Sequence, residues 1–497
     1  EERKDESKES ADALAALGEK FGPGKLAGAL EEIFSRPAWA EVKNRVAAAG
    51  RMPALRERYL SDEAELLAEL KALDPGREEE LGLADCLFVW RKRRAVLRYL
   101  REFKAAVMEA NNSGGRIYFV ASGTSYHAAL TGAYFFNRLA KLPIHPCNPG
   151  MFRSMYISSL KEGDLIVGIT QSGETKDLVD IFQDVKDKNP QIRRACLVNN
   201  ENSRIPQELA DFYLPILCGP EIAVAATKSF INQLAVLYLG AASFVLPERE
   251  VKAKLLSAKR LMAESLNSCR DGLEEAAERL FARPSIHILG TGLIGIAREG
   301  ALKIREVTLN HTEGYDAVEF KHGPNTILGR NTIFSLADVE RILEAALSLP
   351  PESRGAPKVE AEGLIKIHPE ILEPGFSSYP LIFICPPDDR DARITVSQIH
   401  THKIRGADVI LIAERRGDLA LAAEGAPMGY GSYWASYLEI PPTGDPCLFV
   451  FGAAILLQYL AYRMSVRKME WLDSLGLAGH GVHPDAPKNV SKSITVD

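Results

Sequence analysis

Short apolar segments, each leading into a turn or an amphipathic helical stretch, constrain this chain more than any other feature. RIYFVA, PIHPCN, DLIVGIT, RRACLV and FYLPIL come first; after a helical stretch from about Glu248 to Arg283 follow SIHILG, LIFICPP, ADVILIAE and SYLEIPP. Alternation of such strands with helices requires a parallel sheet covered on both faces. The two series share an echo, FVASGTSYHAA against HILGTGLIGIA, each a strand, a glycine-containing turn and a helix. The expected fold class is therefore α/β: two tandem doubly wound parallel sheets with flanking helices, binding ligands at the carboxyl ends of their strands. Residues 1–108 read as a helical extension, 109–275 as the first copy, 276–478 as the second with an irregular insertion at about 337–379, and 479–497 as a polar tail.

The length of 497 residues also demands more than one core. With 60 basic against 66 acidic residues the net charge is -6, which favours small-molecule chemistry over nucleic acid or an acidic membrane as partner. The seven cysteines are scattered and never form a C-x-x-C pair, so neither a disulfide framework nor a zinc site is expected, and a reducing, cytoplasmic setting is. The N-terminal EERKDESKESADALAAL has no apolar core of the secretory kind. The apolar run from Cys447 to about Tyr462, interrupted by Gln458, is shorter than a bilayer span and reads as a buried helix.

Two strand-end turns of the first copy carry clustered hydroxyls, SGTS at Ser122 to Ser125 and TQSGET at Thr170 to Thr175. Such donors beside a helix N-terminus favour a phosphate, although Ser172 and Thr175 also suit plain helix caps. In the second copy GTGLIG, Gly290 to Gly295, matches a dinucleotide fingerprint in letters. Its follow-on, LNHTEGYDAVEFKHGP, has acids but no apolar strand to present them, so a tight strand-to-helix turn is expected instead. Along the next helix Glu299, Lys303 and Glu306 stand at i, i+4 and i+7 on one face. A solvated salt-bridge face explains such a triad; a carboxylate beside an ammonium in a cleft also provides the base and cation that enolisation needs. His322 in KHGP suits either an acid-base role or a turn, and His400 and His402, two apart on a helix, point away from each other.

Together ASGTSYHA, TQSGET, EIAVAATKSFINQL, EGALKIREVTLNHTEGYDAVEFKHGP and DAPKNVSKSITVD resemble the isomerase part of the glucosamine-6-phosphate synthase (glutamine:fructose-6-phosphate amidotransferase) family, a tandem pair of sugar isomerase (SIS) domains. The resemblance runs from about Arg116 to Asp497, apart from the insertion. It implies that Ser125, Thr170, Gln171, Ser172 and Thr175 hold the phosphate and sugar, with Thr124, Val224 and Ala226 lining the site. By the same carry-over Glu306 shuttles the proton between C1 and C2 beside Lys303, Lys492 in the tail forms an imine with the keto sugar, and His322 opens the ring from a neighbouring subunit. A homodimer follows, with no metal or organic cofactor.

Departures from the family pattern matter equally. The first cysteine is Cys86, in a helical-looking segment, so a glutaminase with an N-terminal thiol is not expected and a separate ammonia-supplying glutaminase is a candidate partner. Thr170 and Ala226 replace serines, the second with loss of a hydroxyl, and Thr291 stands where an arginine is usual. The expected function is interconversion of fructose 6-phosphate and glucosamine 6-phosphate, or a close analogue. The alternatives are an ammonia-independent aldose-ketose isomerase and a non-catalytic sugar phosphate sensor.

Overall fold

The computed structural model describes residues 98–328, 379–428, 433–477 and 479–485. Most of the N-terminal extension, almost all of the insertion expected at 337–379 and the tail residue Lys492 lie outside the described residues. The chain forms two compact units, one of residues 1–105 with 212–214, the other of 106–211 with 215–497. Of the first, the described part is helical from residue 98, and the Tyr99 ring packs 4.8 Å from that of Tyr213.

In the second unit the strand-helix alternation of the sequence becomes β1 (Ile117–Ala121), α1 (Gly123–Phe135), β2 (His145–Cys147), α2 (Pro149–Met155), β3 (Leu165–Thr170), α3 (Lys176–Lys188) and β4 (Arg193–Val198). Strand β5 (Phe212–Pro215), of which residues 212–214 belong to the first unit, follows, and helices α4 (Lys228–Ala242), α5 (Glu248–Ser268) and α6 (Arg270–Leu280) complete the first half. The second half runs β6 (Ser285–Gly290), α7 (Ile294–Thr308), β7 (His311–Asp316), β8 (Tyr379–Cys385), α8 (Asp389–Lys403), β9 (Ala407–Glu414), α9 (Gly417–Glu424), β10 (Ala435–Ile440) and α10 (Pro446–Ser474). All residues of β1, β3, β6, β8 and β9 are buried, as continuous apolar runs between helical layers must be.

The sheets have strand orders β2-β1-β3-β4-β5 and β10-β9-β8-β6-β7. Renumbered from its own first strand, the second reads 2-1-3-4-5 like the first, so the echo between β1-α1 and β6-α7 marks two copies of one fold. In this order the chain reverses its direction of winding between β1 and β3, and between β6 and β8, opening a crevice at the strand ends. Residues 311–316, which the sequence suggests lack a strand, form the edge strand β7, paired in register with β6 from Ser285↔His311 to Gly290↔Asp316. The sequence hides it because an edge strand with one partner needs no apolar run.

Helix α10 is long and apolar enough by composition to cross a membrane, yet 72% of its most apolar window is buried inside the protein, where it packs on α5, α6 and α7. The halves meet where α1 lies against α7. Gly295 makes that approach possible: a Cβ there would stand 2.4 Å from Thr131 Oγ1 and 2.7 Å from the His127 carbonyl oxygen. The third glycine of GTGLIG therefore serves helix packing. Thr291 within the motif is buried and bonded to Thr395 at 2.7 Å.

At the amino-terminal end of the second sheet lies a hydrogen-bonded network, buried at Ser285, His287 and Tyr379 and open to solvent at His311. His287 Nδ1 and the Tyr379 hydroxyl are 2.7 Å apart, Tyr379 and Ser285 2.6 Å, and Ser285 and His311 2.9 Å. Nearby His402 is fully buried against Phe320, with neither ring nitrogen bonded. His400 is exposed, so the two histidines do point apart. Burial depresses both His287 and His402 to about 4, with His311 adding to the first and Arg405 and Lys321 to the second.

Two outcomes follow from this packing. Gly295→Ala should destabilise the protein by about 1–3 kcal/mol, the usual cost of overpacking, read as a lower urea midpoint. His287 and His402 bind protons in the unfolded chain near pH 6.5 but in the folded one only near 4, so their contribution is complete above 6.5 and lost as pH falls through that window. Each shift is worth about 3 kcal/mol at its limit. The urea midpoint should drop steeply from pH 6.5 to 4.5, and His402→Phe, which keeps the ring packing, should flatten that slope.

Candidate functional site

The first copy's crevice opens between β1 and β3, whose last paired residues are Ala121 and Ile169. The turns SGTS and TQSGET leave these neighbouring strand ends side by side. Gly173 sits at φ +70°, and a Cβ on it would fall 1.7 Å from Ser203 Oγ, so only glycine fits the second turn. Thr170 is buried; its hydroxyl accepts from Gly173 N at 3.1 Å and lies 3.1 Å from Thr175 Oγ1. Ser172 Oγ accepts from Glu174 N at 3.2 Å.

This geometry separates the two readings of the turn. Thr175 holds the N-cap position of α3 but its side chain bonds no helix amide, being turned to Thr170. The N-terminus of α3 is thus left without a side-chain cap, beside hydroxyls that can donate to an anion. The matching crevice of the second copy differs. There the Asp388 carboxylate caps α8, accepting from Arg390 N at 3.0 Å and Asp391 N at 3.2 Å. A cleft of about 430 Å³ beside it is lined by Asp388, Asp389, Glu414, Arg415 and Arg416. Its Arg416 is already paired with Asp389 at 2.6 Å and Asp418 at 3.1 Å. Carboxylate has taken the place of an anion there.

Ser125, one turn into α1, is buried and accepts from Gln233 Nε2 at 2.9 Å. Its own proton is left free to donate elsewhere. Gln171 is half-buried, and its carbonyl accepts from Asn199 N and Asn200 N. Val224 and Ala226 are half-buried on the loop between β5 and α4.

A charged set comes from α7. Gly295, Glu299 and Lys303 form one stripe and meet Thr131, His127 and Thr124 of α1 running the other way. Glu299 and Lys303 are 2% and 1% exposed, which rejects the solvated salt-bridge face. Lys303 Nζ donates to Glu306 Oε2 at 2.6 Å and to Thr124 Oγ1 at 3.0 Å, and lies 3.4 Å from Glu299 Oε1. Thr124 Oγ1 in turn donates to Glu299 Oε1 at 3.2 Å, and His127 Nδ1 stands 2.8 Å from Glu299 Oε2. Thr124 belongs to the turn leaving β1, so the Lys303 cluster reaches the edge of the phosphate-type crevice.

The two carboxylates are driven apart. Burial pushes Glu299 up, but the Lys303 ammonium and the His127 bond outweigh it and hold it below the ordinary glutamate value. For Glu306 burial prevails over the Lys303 ammonium and the net direction is upward. Lys303, penalised by burial, is raised on balance by the two carboxylates. An anchored ion beside a carboxylate of raised basicity is the arrangement of a charge stabiliser and a base.

His322 is exposed, closing the short turn Glu319–Lys321 after β7, and among the described residues its ring has no bond to the Lys303 cluster. Lys492 lies outside the described residues. His127 and Gln233 are the contacts that the sequence reading passed over; the signal for His127 was its place three residues after Thr124, on the same helix face. Among the described residues no group of three His, Cys, Asp or Glu is placed to hold a metal.

A SIS domain model matches residues 111–243, the first copy. The chain is 29% identical over 392 residues to a glutamine–fructose-6-phosphate aminotransferase (isomerizing) of Caulobacter vibrioides, covering 77% of this chain and 52% of the relative. A relative of the same name from Aquifex aeolicus is 37% identical over 235 residues, 47% of this chain and 39% of the relative. This chain thus spans about half the length, or less, of these curated relatives. Among solved structures, the C-terminal domain of glucosamine-fructose-6-phosphate aminotransferase from Francisella tularensis shares the fold, with a TM-score of 0.53, 23% identity, and coverage of 76% of this chain and 96% of that one. On these sequence matches, with the fold in agreement, the chain is a tandem SIS-domain protein homologous to the C-terminal isomerase portion of the glutamine–fructose-6-phosphate aminotransferases.

Proposed function

We propose that this chain is a sugar-phosphate isomerase of amino sugar metabolism that interconverts fructose 6-phosphate and glucosamine 6-phosphate with ammonia drawn from outside residues 1–497. The observation that carries the reading is the pair of buried Lys303 and half-buried Glu306 at 2.6 Å, joined through Thr124 to the strand end beside an uncapped helix N-terminus. Phosphate would sit on the turn from Thr170 to Thr175 and the start of α3, with Ser125 donating its free proton. The sugar's C1 and C2 would then lie toward α7.

Glu306 acts as the base, taking the proton from one carbon and returning it to the other. Lys303, held positive by two carboxylates, stabilises the negative charge that develops on oxygen or nitrogen while the proton is in transit. Lys492 is proposed to condense with the C2 carbonyl, its nitrogen forming the C=N bond as water leaves. His322, exposed in one chain, is proposed to act in a second copy's site as the ring-opening acid-base group, making the enzyme a homodimer. Ala226, where the family pattern has a serine, removes one donor to the sugar, so affinity for fructose 6-phosphate is expected to be modest.

Purified protein incubated with fructose 6-phosphate and ammonium should form glucosamine 6-phosphate. Glucose 6-phosphate formed without any nitrogen source would instead mark a plain isomerase, and binding without turnover a sensor. Glu306→Gln should lower kcat by about 10²- to 10⁴-fold, the usual worth of a general base, with KM little changed. Because burial raises Glu306, the acid limb of the kcat profile should lie at higher pH than an ordinary glutamate would give, activity being lost as pH falls and the base takes up its proton. An unchanged kcat in Glu306→Gln would remove it from the mechanism. Ser172→Ala combined with Thr170→Val should act the other way, raising KM for the sugar phosphate by tenfold or more.

A further inference from the structure

We propose that His127 is a positioning residue of this site: by donating from Nδ1 to Glu299 it anchors that carboxylate, so that the Lys303 ammonium is shared in favour of Glu306. The kinetic part of the proposal rests on Glu306 being the base.

The geometry assigns every proton in the chain of contacts. An ionised carboxylate only accepts, so the His127 proton toward Glu299 is on Nδ1, 2.8 Å away. Lys303 only donates, so Thr124 Oγ1 accepts from it at 3.0 Å and passes its own proton to Glu299 Oε1 at 3.2 Å. Glu299 therefore has Oε2 engaged by His127 and Oε1 by Thr124, and its contact with Lys303 is the long one, 3.4 Å against 2.6 Å to Glu306. Were the imidazole replaced by an apolar ring, Oε2 would be a buried charged acceptor without a partner. Lys303, 3.4 Å from the other oxygen of the same carboxylate, is the cation that can turn to it. Turning toward Glu299 to satisfy it, the ammonium would loosen from Glu306 and leave the base without its cation.

Helix packing places His127 where it can do this and little else. It is 8% exposed on α1, and its carbonyl is among the atoms that Gly295 lets come close to α7. The side chain touches the network at Glu299 alone among the described ionisable groups, two contacts removed from Glu306. A residue that acts through another in this way should change kcat without changing how sugar phosphate is held.

Three measurements test it on the full chain. In the unsubstituted protein the His127 Nδ1-bound proton should appear as a resolved, water-protected downfield NMR signal, lost in Glu299→Gln; a ring carrying its proton on Nε2 alone overturns the proposal. His127→Phe should lower kcat at least tenfold with KM within twofold, and His127→Gln, whose amide supplies a donor, should recover most of the loss. A loss that also raises KM and is not recovered by glutamine marks a merely structural role and overturns it. The Lys303 Nζ resonance, assigned through its absence in Lys303→Met, should shift in His127→Phe and return in His127→Gln; an unmoved resonance overturns the proposal as well. Because the two NMR signals need no turnover, an unsubstituted protein inactive on every sugar phosphate would refute the functional reading while they still decide the role of His127.

Discussion

The contact of α1 with α7 is the constraint on which the site depends. Each helix follows the first strand of its own copy, and each is aimed across the junction at the other. With Gly295 under Thr131 and the His127 carbonyl, the helix axes come close enough for the next residues along the stripe to meet as hydrogen-bond partners. Glu299 then reaches His127, and Lys303 reaches Thr124, within 2.8 and 3.0 Å. A larger residue at 295 would separate these pairs without itself touching Lys303 or Glu306. Close packing and charge placement are the same event in this structure.

Duplication of the fold has left the copies chemically unequal. Both have strand order 2-1-3-4-5 and a crevice at the reversal of winding, so topology alone offers two equivalent ligand sites. Side chains decide between them. In the first, Thr175 turns to Thr170 and α3 starts without a cap; in the second, Asp388 fills the same station with its own carboxylate and is held by Arg138 of the first copy at 2.8 Å. An anion arriving at α8 would meet negative charge. The second copy instead supplies α7, so one crevice is built from two folds.

Much of this was legible in the sequence. Continuous apolar runs gave the buried strands, and the paired FVASGTSYHAA and HILGTGLIGIA showed where the copies begin. The i, i+4, i+7 spacing put Glu299, Lys303 and Glu306 together, but spacing cannot tell a solvated face from a buried one, because the difference lies in what covers it. That cover is α1, some 170 residues away in the chain, and with it came His127. Strand β7 was missed for the complementary reason: HTEGYD has no apolar period to read, and its partner β6 defines it as a strand.

The location of the two buried polar networks follows from their charge. Burying Glu299 and Lys303 beside half-buried Glu306 carries a desolvation cost that a pair of apolar helix faces would avoid. Such a cluster is poor evidence for stability and better evidence for chemistry, and through Thr124 it borders the carboxyl end of β1 in the first copy. The network of Ser285, His287, Tyr379 and His311 is at the amino ends of the second sheet, and within it burial lowers His287 and raises Tyr379, so these two resist ionising. Neutral hydrogen bonds can hold a sheet together without a counter-ion, whereas proton transfer needs a base, a cation and something to keep the two in register. In the second sheet His287 and Tyr379 are placed to resist ionisation. Beside the first copy's crevice Lys303 is held between two carboxylates, and how it is divided between them depends on what anchors Glu299.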